Sequence, residues 1–421
     1  MEGALVTKSG VISRESQKQY RTFARRVTQG LGKPQRRLVR EMIWGMLMSQ
    51  SVRLSKIGSW ITGTGTRLLS RVKRLSRGLR GDLDEDRIEQ NHVSAMGSMV
   101  GQESSVVLDI SDIQKEEGRK FEYLSLVHDG STGEIGPGYN FITATAVLGK
   151  GRQMPLYLAP YSVKAPEYES ENKEVIRAID TVMGAIGTKG VWVFDRGFDN
   201  KWLFNELTKR LLRFLLCAHR DRTVIAGGQK QSVLEIVEKL PLGSYLHIGK
   251  RGKKKGFDIQ YGACAIELAE HWDAEKRQAV HQKLWLLVIR GYGPVKNQLT
   301  FFYTNVALED PDQRRRMVHR YGDRWAVEEE HEFLKQRLHM EDVRVRTWPA
   351  IRRVCLCLML AFAFLAWLVE RWSTRRKTLM PVLCSTQSEL DPDAAFIYYR
   401  VLEAVQLACA FVFALELWQK G

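Results

Sequence analysis

From residue 104 the chain stops reading as helix and starts reading as sheet, and that change limits its possible folds more than any other feature. Four β-rich runs follow one another: SVVLDIS (105–111), FEYLSLVH (121–128), NFITATAVLG (140–149) and MPLYLAPYS (154–162). Turn residues separate them, including the Gly-rich DGSTGEIGPG at 129–138, so a meander of antiparallel strands is expected. PEYESENKEVIRAIDTVMGAIG (166–187) has helical spacing through Val175, Ile176, Ile179, Val182 and Met183. GVWVFDRGFDN (190–200) reads as a short buried strand ending in a charged turn, NKWLFNELTKR (200–210) as a helix, and LLRFLLCAH (211–219) as another buried strand. Strands first, then alternating helix and strand, predict an α/β core with a mixed sheet.

Residues 220–300 hold further β-like runs, GSYLHIG, FDIQYGACAIEL, KLWLLVIRGYG and NQLTFFYTN, so an inserted β-rich subdomain is expected. The tip of one hairpin, GKRGKKKG at 249–256, carries Lys250, Arg251, Lys253, Lys254 and Lys255, candidates for DNA contact. It is not a phosphate-binding P-loop, because no Gly-Lys is followed by Ser or Thr in the required frame.

Charge is segregated as sharply as periodicity. Of a net +16, residues 11–80 supply 17 Lys and Arg against two acids, Glu15 and Glu41. Apolar residues there recur every three or four positions (Phe23, Val27, Leu38, Met42, Ile43, Leu47), with basic residues in the gaps. Gly30–Pro34 and Gly58–Gly65 read as breaks between short helices. A basic helical module is predicted, with phosphate contact as its use. Its candidates are Arg25, Arg26, Arg36, Arg37 and Arg40. The acidic run Asp82, Asp84, Glu85, Asp86 and Glu89 then reads as a linker.

The expected organisation is a basic helical domain at 1–80, an acidic linker at 81–103, the first part of the core at 104–219 and the insertion at 220–300. The second part of the core follows at 301–372, then a C-terminal linker and helix at 373–421. The six cysteines (Cys217, Cys264, Cys355, Cys357, Cys384, Cys409) show no C-x-x-C spacing, so buried thiols in a reducing compartment are expected. The N-terminus shows no apolar signal region. Val354–Val369 is apolar throughout but short of the roughly 20 residues a membrane span needs. A buried helix is expected, and no membrane partner.

Two carboxylates stand at the ends of apolar runs, Asp109 in VVLD and Asp195 in VWVFD. An acid there is costly unless a cation or hydrogen bonds compensate, although a turn-capping role is common for Asp. If the two strands are neighbours, both acids lie at one place. Asp112 and Asp199 are nearby rivals, and Asp129 reads as a turn residue. Further along, YGDRWAVEEEHEFLK (321–335) has no Pro and a single Gly. At about 100° per residue, Tyr321, Arg324, Glu328 and Lys335 project at roughly 0°, −60°, −20° and −40°, one narrow stripe. A solvated charged face would look the same, and Glu332 at about +20° competes with Glu328. Three carboxylates brought together need a dication between them, and oxygen-only ligands suit Mg2+ or Mn2+. A di-iron E-x-x-H reading of Glu328 and His331 lacks a second copy.

The pattern Y-x-x-R-x-x-x-E-x-x-x-x-x-x-K, filled by Tyr321, Arg324, Glu328 and Lys335, resembles the YREK signature of bacterial insertion-sequence transposases of the DDE class. VFDRGFDN resembles that family's second-Asp motif and VVLDISDIQK its first, over about residues 104–370. The resemblance implies an RNase H-like core in which Asp109, Asp195 and Glu328 hold Mg2+, with two ions expected and Mn2+ able to substitute. It assigns Tyr321, Arg324 and Lys335, with Arg196 beside Asp195, to phosphates near the transposon end. It also implies cut-and-paste chemistry on double-stranded DNA, at terminal inverted repeats and target, by a homodimer in the cytoplasm. Relatives that excise through a hairpin use an aromatic from the insertion, for which Trp272 and Trp285 are candidates here. Ile-Ser follows Asp109 where relatives often carry a short polar pair, which keeps Asp112 as a rival. A DNA-binding regulator without strand transfer and a structure-specific nuclease on the same fold are the alternatives.

Overall fold

The computed structural model describes residues 2–418 apart from 62–64, 129, 131, 150, 249–256, 274–277, 292–297 and 374–395. Lys250, Arg251, Lys253, Lys254 and Lys255 lie outside the described residues, as do Asp129, Cys384 and nearly all of the expected C-terminal linker. The protein is mixed α/β, and its contacts divide it into two units. The first comprises Met1–Val100, Ile110–Gly187 and Glu328–Gly421; the second comprises Gly101–Asp109 and Thr188–Val327.

In the first unit the basic segment forms helices α1 (Glu2–Val27), α2 (Lys33–Ser49), α3 (Leu54–Ser59) and α4 (Leu68–Arg80). Two of the three breaks fall at the glycine-bearing stretches, and the third, between α2 and α3, follows Gln50 in the left-handed conformation. α2 starts after Gly32 with Pro34 in its first turn, where a missing N–H costs nothing. The helices pack closely. A Cβ on Gly78 of α4 would lie 2.9 Å from Leu38 of α2, and one on Gly45 of α2 would run into Ile57 of α3.

The acidic stretch expected as a linker is instead helical. α5 (Glu85–Gly97) is capped by Asp84, whose side chain accepts from the Arg87 N–H, and it buries Ile88, Val93 and Met96. Its acids favour the helix N-terminus, where the dipole stabilises negative charge, and Glu85 pairs at 2.9 Å with the buried Arg353. Arg353 lies in α11 (Trp348–Ser373), the apolar helix, and also donates to the Leu79 carbonyl of α4 at 2.8 Å. Nearly all of the apolar stretch of α11, 94%, is buried inside the fold. The last helix, α12 (Tyr398–Trp418), packs on α1, α2 and α11. The meander also lies in this unit: β2 (Ser125–His128) pairs antiparallel with β3 (Ile135–Val147), and β3 pairs antiparallel with β4 (Gln153–Tyr161). α6 (Glu171–Ile186), capped by Ser170, packs on β3 and β4.

β1 (Ser105–Gln114) passes from the second unit into the first after Asp109. In the second unit it pairs in parallel with β5 (Val191–Phe194), which pairs in parallel with β6 (Phe214–Cys217). α7 (Lys201–Lys209) makes the crossover between β5 and β6. The β-rich residues 220–300, expected as an insertion, continue the same sheet. β6 pairs with β12 (Leu299–Thr304), β12 with β11 (Gln278–Arg290), and β11 with β10 (Phe257–Asp273), all antiparallel. The short strands β7 (Thr223–Ala226) and β9 (Ser244–Ile248) also join β10, β8 (Gln229–Ser232) pairs with β7, and helix α8 (Val233–Lys239) follows. The reason is apolar content: Leu286, Leu287, Val288 and Ile289 of β11 are all fully buried, so the strand needs cover on both faces. One core runs beneath this sheet, from Val191 and Leu215 through Leu287 and Phe302 to Met317 and Val318 of α9 (Pro311–Gly322).

Candidate active site

The second unit places Asp109 on β1 and Asp195 just past β5, its parallel neighbour. Val107 and Val193 are the last pair of the β1–β5 register, and Asp109 and Asp195 each follow that pair by two residues. Adjacent strands lie about 4.8 Å apart and facing residues point the same way. Two half-buried carboxylates therefore follow the paired stretch, Asp109 within β1 and Asp195 just past the carboxyl end of β5. Asp195 is also a cap: its Oδ1 accepts the Gly197 N–H at 2.8 Å and starts a short 3-10 turn, Arg196–Phe198. The cap uses one oxygen of two. Asp199 serves differently, since its fully buried side chain accepts the His219 N–H at 2.6 Å and pairs with Arg222.

The turns after β5 and β6 carry donors. Phe194 and Leu216 are register partners, so the turns that follow β5 and β6 emerge side by side. The exposed Arg196 after β5 and the exposed His219 and Arg220 after β6 line one pocket of about 550 Å3, with Leu299 and Phe301 on its apolar wall. Sequence reasoning singled out Arg196 and missed the other two, although both sit just past a buried strand as Asp195 does. The Cys217 thiol hydrogen-bonds with Arg196 and Tyr321; burial pushes its pKa up, against the pull of the arginine. Tyr321 packs edge-on against Phe302 at 4.3 Å, and its hydroxyl hydrogen-bonds with Cys217 and Arg324. Burial raises that phenol's pKa above its ordinary value, which keeps it a neutral donor at working pH.

The single helix expected over 321–335 is not formed. α9 ends at Gly322 and α10 (Trp325–Glu332) begins after a break at Asp323–Arg324. Through the break Ala326 and Val327 donate to carbonyls three residues back, a tighter winding than the 100° per residue of an α-helix. The Asp323 carboxylate anchors it by accepting from the Ser105 hydroxyl of β1 at 2.6 Å. A π-turn, Phe333–Arg337, then interrupts the helix a second time and contains Lys335. The stripe geometry therefore does not apply. Tyr321 and Arg324 belong to the second unit, Glu328 and Lys335 to the first.

Within the first unit, Glu328 and Glu332 are both exposed on α10. The residues between them are buried more deeply. Glu330, fully buried, accepts from the Thr145 hydroxyl, and burial raises its pKa to about 8. His331 contacts the Thr143 hydroxyl at 2.9 Å, and burial lowers its pKa to about 3. Lys335 pairs with the buried Asp112 at 3.3 Å, and Gln114 donates to the same carboxylate at 2.8 Å. Arg25, Arg26, Arg36, Arg37 and Arg40 are exposed on α1 and α2; Arg37 pairs with Glu41 at 2.8 Å and Arg26 lies 4.9 Å over the Trp367 ring. Trp285 of β11 is half-buried against the second unit's core.

No group of three or more His, Cys, Asp or Glu that could hold a metal ion occurs among the described residues. Asp109 and Asp195 are oxygen-only donors, of the kind that suits a hard dication such as Mg2+ better than zinc or iron.

No protein-family model matches the chain. No curated protein matches it either. Among solved structures it is similar to a piggyBac transposase synaptic complex with hairpin DNA, determined by cryo-EM, at 10% identity and a TM-score of 0.40, over 89% of this chain and 72% of that one.

Proposed function

We propose that the protein is a DDE-type DNA transposase with an RNase H-like core, which cuts DNA at the ends of its element and joins the freed 3′-hydroxyl to target DNA. The observation that supports this reading is the parallel β1–β5 pairing, whose last pair, Val107 and Val193, is followed two residues later by Asp109 on one strand and Asp195 after the other. Asp109 and Asp195 and, on the sequence motif alone, Glu328 would hold Mg2+, which when bound activates the attacking oxygen and stabilises the departing one.

The remaining residues bind and orient the strand. Tyr321 donates from its neutral hydroxyl to a phosphate oxygen. Arg324 and Arg196 provide planar guanidinium forks suited to phosphate, and His219 and Arg220 extend that wall with an imidazole and a further guanidinium. Lys335 reaches a phosphate from the first unit. The basic helices and the 249–256 tip grip flanking duplex, in a synaptic complex of two protomers in the cytoplasm.

The test is cleavage and strand transfer on DNA carrying both ends of the encoding element, with Mg2+ or Mn2+. Wild type and Glu332→Gln are expected to cut and join. Asp109→Asn, Asp195→Asn and Glu328→Gln are expected to bind the ends and cut nothing. Cleavage that survives Glu328→Gln, or a wild type that binds ends and never cuts with any dication, would sink the proposal. Cutting without joining would indicate a nuclease.

A further inference from the structure

A groove of about 1030 Å3 runs along α1 and α2 in the first unit. Its cationic wall repeats at helical spacing: Arg21 and Arg25 on α1, then Lys33, Arg36 and Arg40 on α2, all exposed. Glu41 is the one acid among the described lining residues, and it is already paired with Arg37 and Arg74. Such a wall selects a polyanion. The groove also contains aromatic surface, because the part-exposed indoles of Trp44 and Trp60 line it beside the cations.

Shape and composition together discriminate between forms of nucleic acid. Proteins that read duplex DNA usually insert a convex helix or ribbon into the major groove. A concave channel reverses that relation, and its volume is that of a cleft for a ligand of modest size, about 300–1,000 Å3. Basic grooves in which bases stack on aromatic rings are the usual seat of single strands, because every base has a π-face and the backbone supplies the charge. We infer that the α1–α2 groove binds a few nucleotides of unpaired DNA strand, with phosphates on Arg21, Arg25, Arg36 and Arg40 and a base against Trp60. The inference rests on the transposase reading for its choice of DNA, and it adds a stacking contact on Trp60 that a fully paired end cannot make, while the same arginines can still meet duplex phosphates.

The experiment uses the full chain and fluorescence anisotropy with labelled dT12, rU12 and a 12-base-pair duplex. Expected are salt-dependent binding of dT12 with quenching of tryptophan emission, a roughly ten- to hundredfold loss in Trp60→Ala, and near-wild-type affinity in Trp60→Phe. Duplex affinity should stay within about twofold in Trp60→Ala, since stacking on that ring needs an unpaired base. Arg36→Ala, at an exposed site, is expected to weaken dT12 and lower its salt dependence, which keeps the test decisive if Trp60→Ala fails to fold. Duplex binding without dT12 binding, an unchanged dT12 affinity in Trp60→Ala, or a tenfold preference for rU12 overturns the groove assignment and leaves the transposase reading standing. Absence of binding to all three overturns both.

Discussion

Glu330 and His331 sit next to each other, fully enclosed, and titrate in opposite senses. Burial raises the Glu330 pKa to about 8 and lowers that of His331 to about 3. Between the ordinary Glu value and about 8, the folded chain holds a proton on Glu330 that the unfolded chain has released, so stability falls as pH rises through that window. His331 acts the other way: the unfolded chain takes up a proton below the ordinary His value that the folded chain refuses, so stability falls as pH drops toward about 3. The two slopes cancel near pH 4.5–6.5, leaving a plateau there, and above it Glu330 alone costs about 1.4 kcal/mol per pH unit. Glu330→Gln is expected to flatten the urea-unfolding midpoint between pH 6.5 and 8 and leave the acid limb alone. A wild-type midpoint independent of pH over that range would show that Glu330 is not buried as described. None of this was legible from the EEEHE run, which reads as a solvated face. The one hint lay in FITATAV of β3, where alternate threonines, Thr143 and Thr145, needed polar partners inside the core.

At the scale of elements, the strands were the most legible features. Their apolar runs are short, and β1, β4, β5 and β6 fall close to where the pattern put them. The helix bearing Glu328 was misjudged because its break carries no Pro. Its determinant is a bond to Ser105, far away in sequence and invisible to local spacing. The same limit hid the partner of Lys335. Its ammonium neutralises Asp112, whose side chain is only 6% exposed, so removing the lysine leaves a buried carboxylate supported by Gln114 alone. Lys335→Gln should lower stability toward the low end of roughly 3–5 kcal/mol. Adding Asp112→Asn should restore most of it, since the orphaned charge is then gone. Recovery in the double variant, read by thermal unfolding without DNA, assigns Lys335 a structural duty beside any phosphate contact. Equal stability of wild type and Lys335→Gln would remove that duty.

For the whole molecule, the separation of charge is the property that composition alone announced, and the fold gives it a surface. Nearly all the net charge lies in residues 11–80, and Arg25, Arg36 and Arg40 remain exposed on α1 and α2 once the apolar residues of those helices are buried. Binding through such groups is driven by release of counterions, so the logarithm of affinity should fall linearly with the logarithm of salt, by about 0.9 per phosphate neutralised. Replacing Arg25, Arg36 and Arg40 together by alanine should reduce that slope on end-bearing DNA by close to 3 × 0.9 while leaving the unfolding midpoint nearly unchanged, because exposed charges contribute little to stability. Substituting Asp109 or Asp195 should change the slope little, since those acids neutralise no phosphate directly. An affinity nearly independent of salt in wild type, or a triple variant with the parental slope, would mean that the basic helices serve some purpose other than gripping DNA. In that case the placement of Asp109 and Asp195 would have to carry the transposase reading without them.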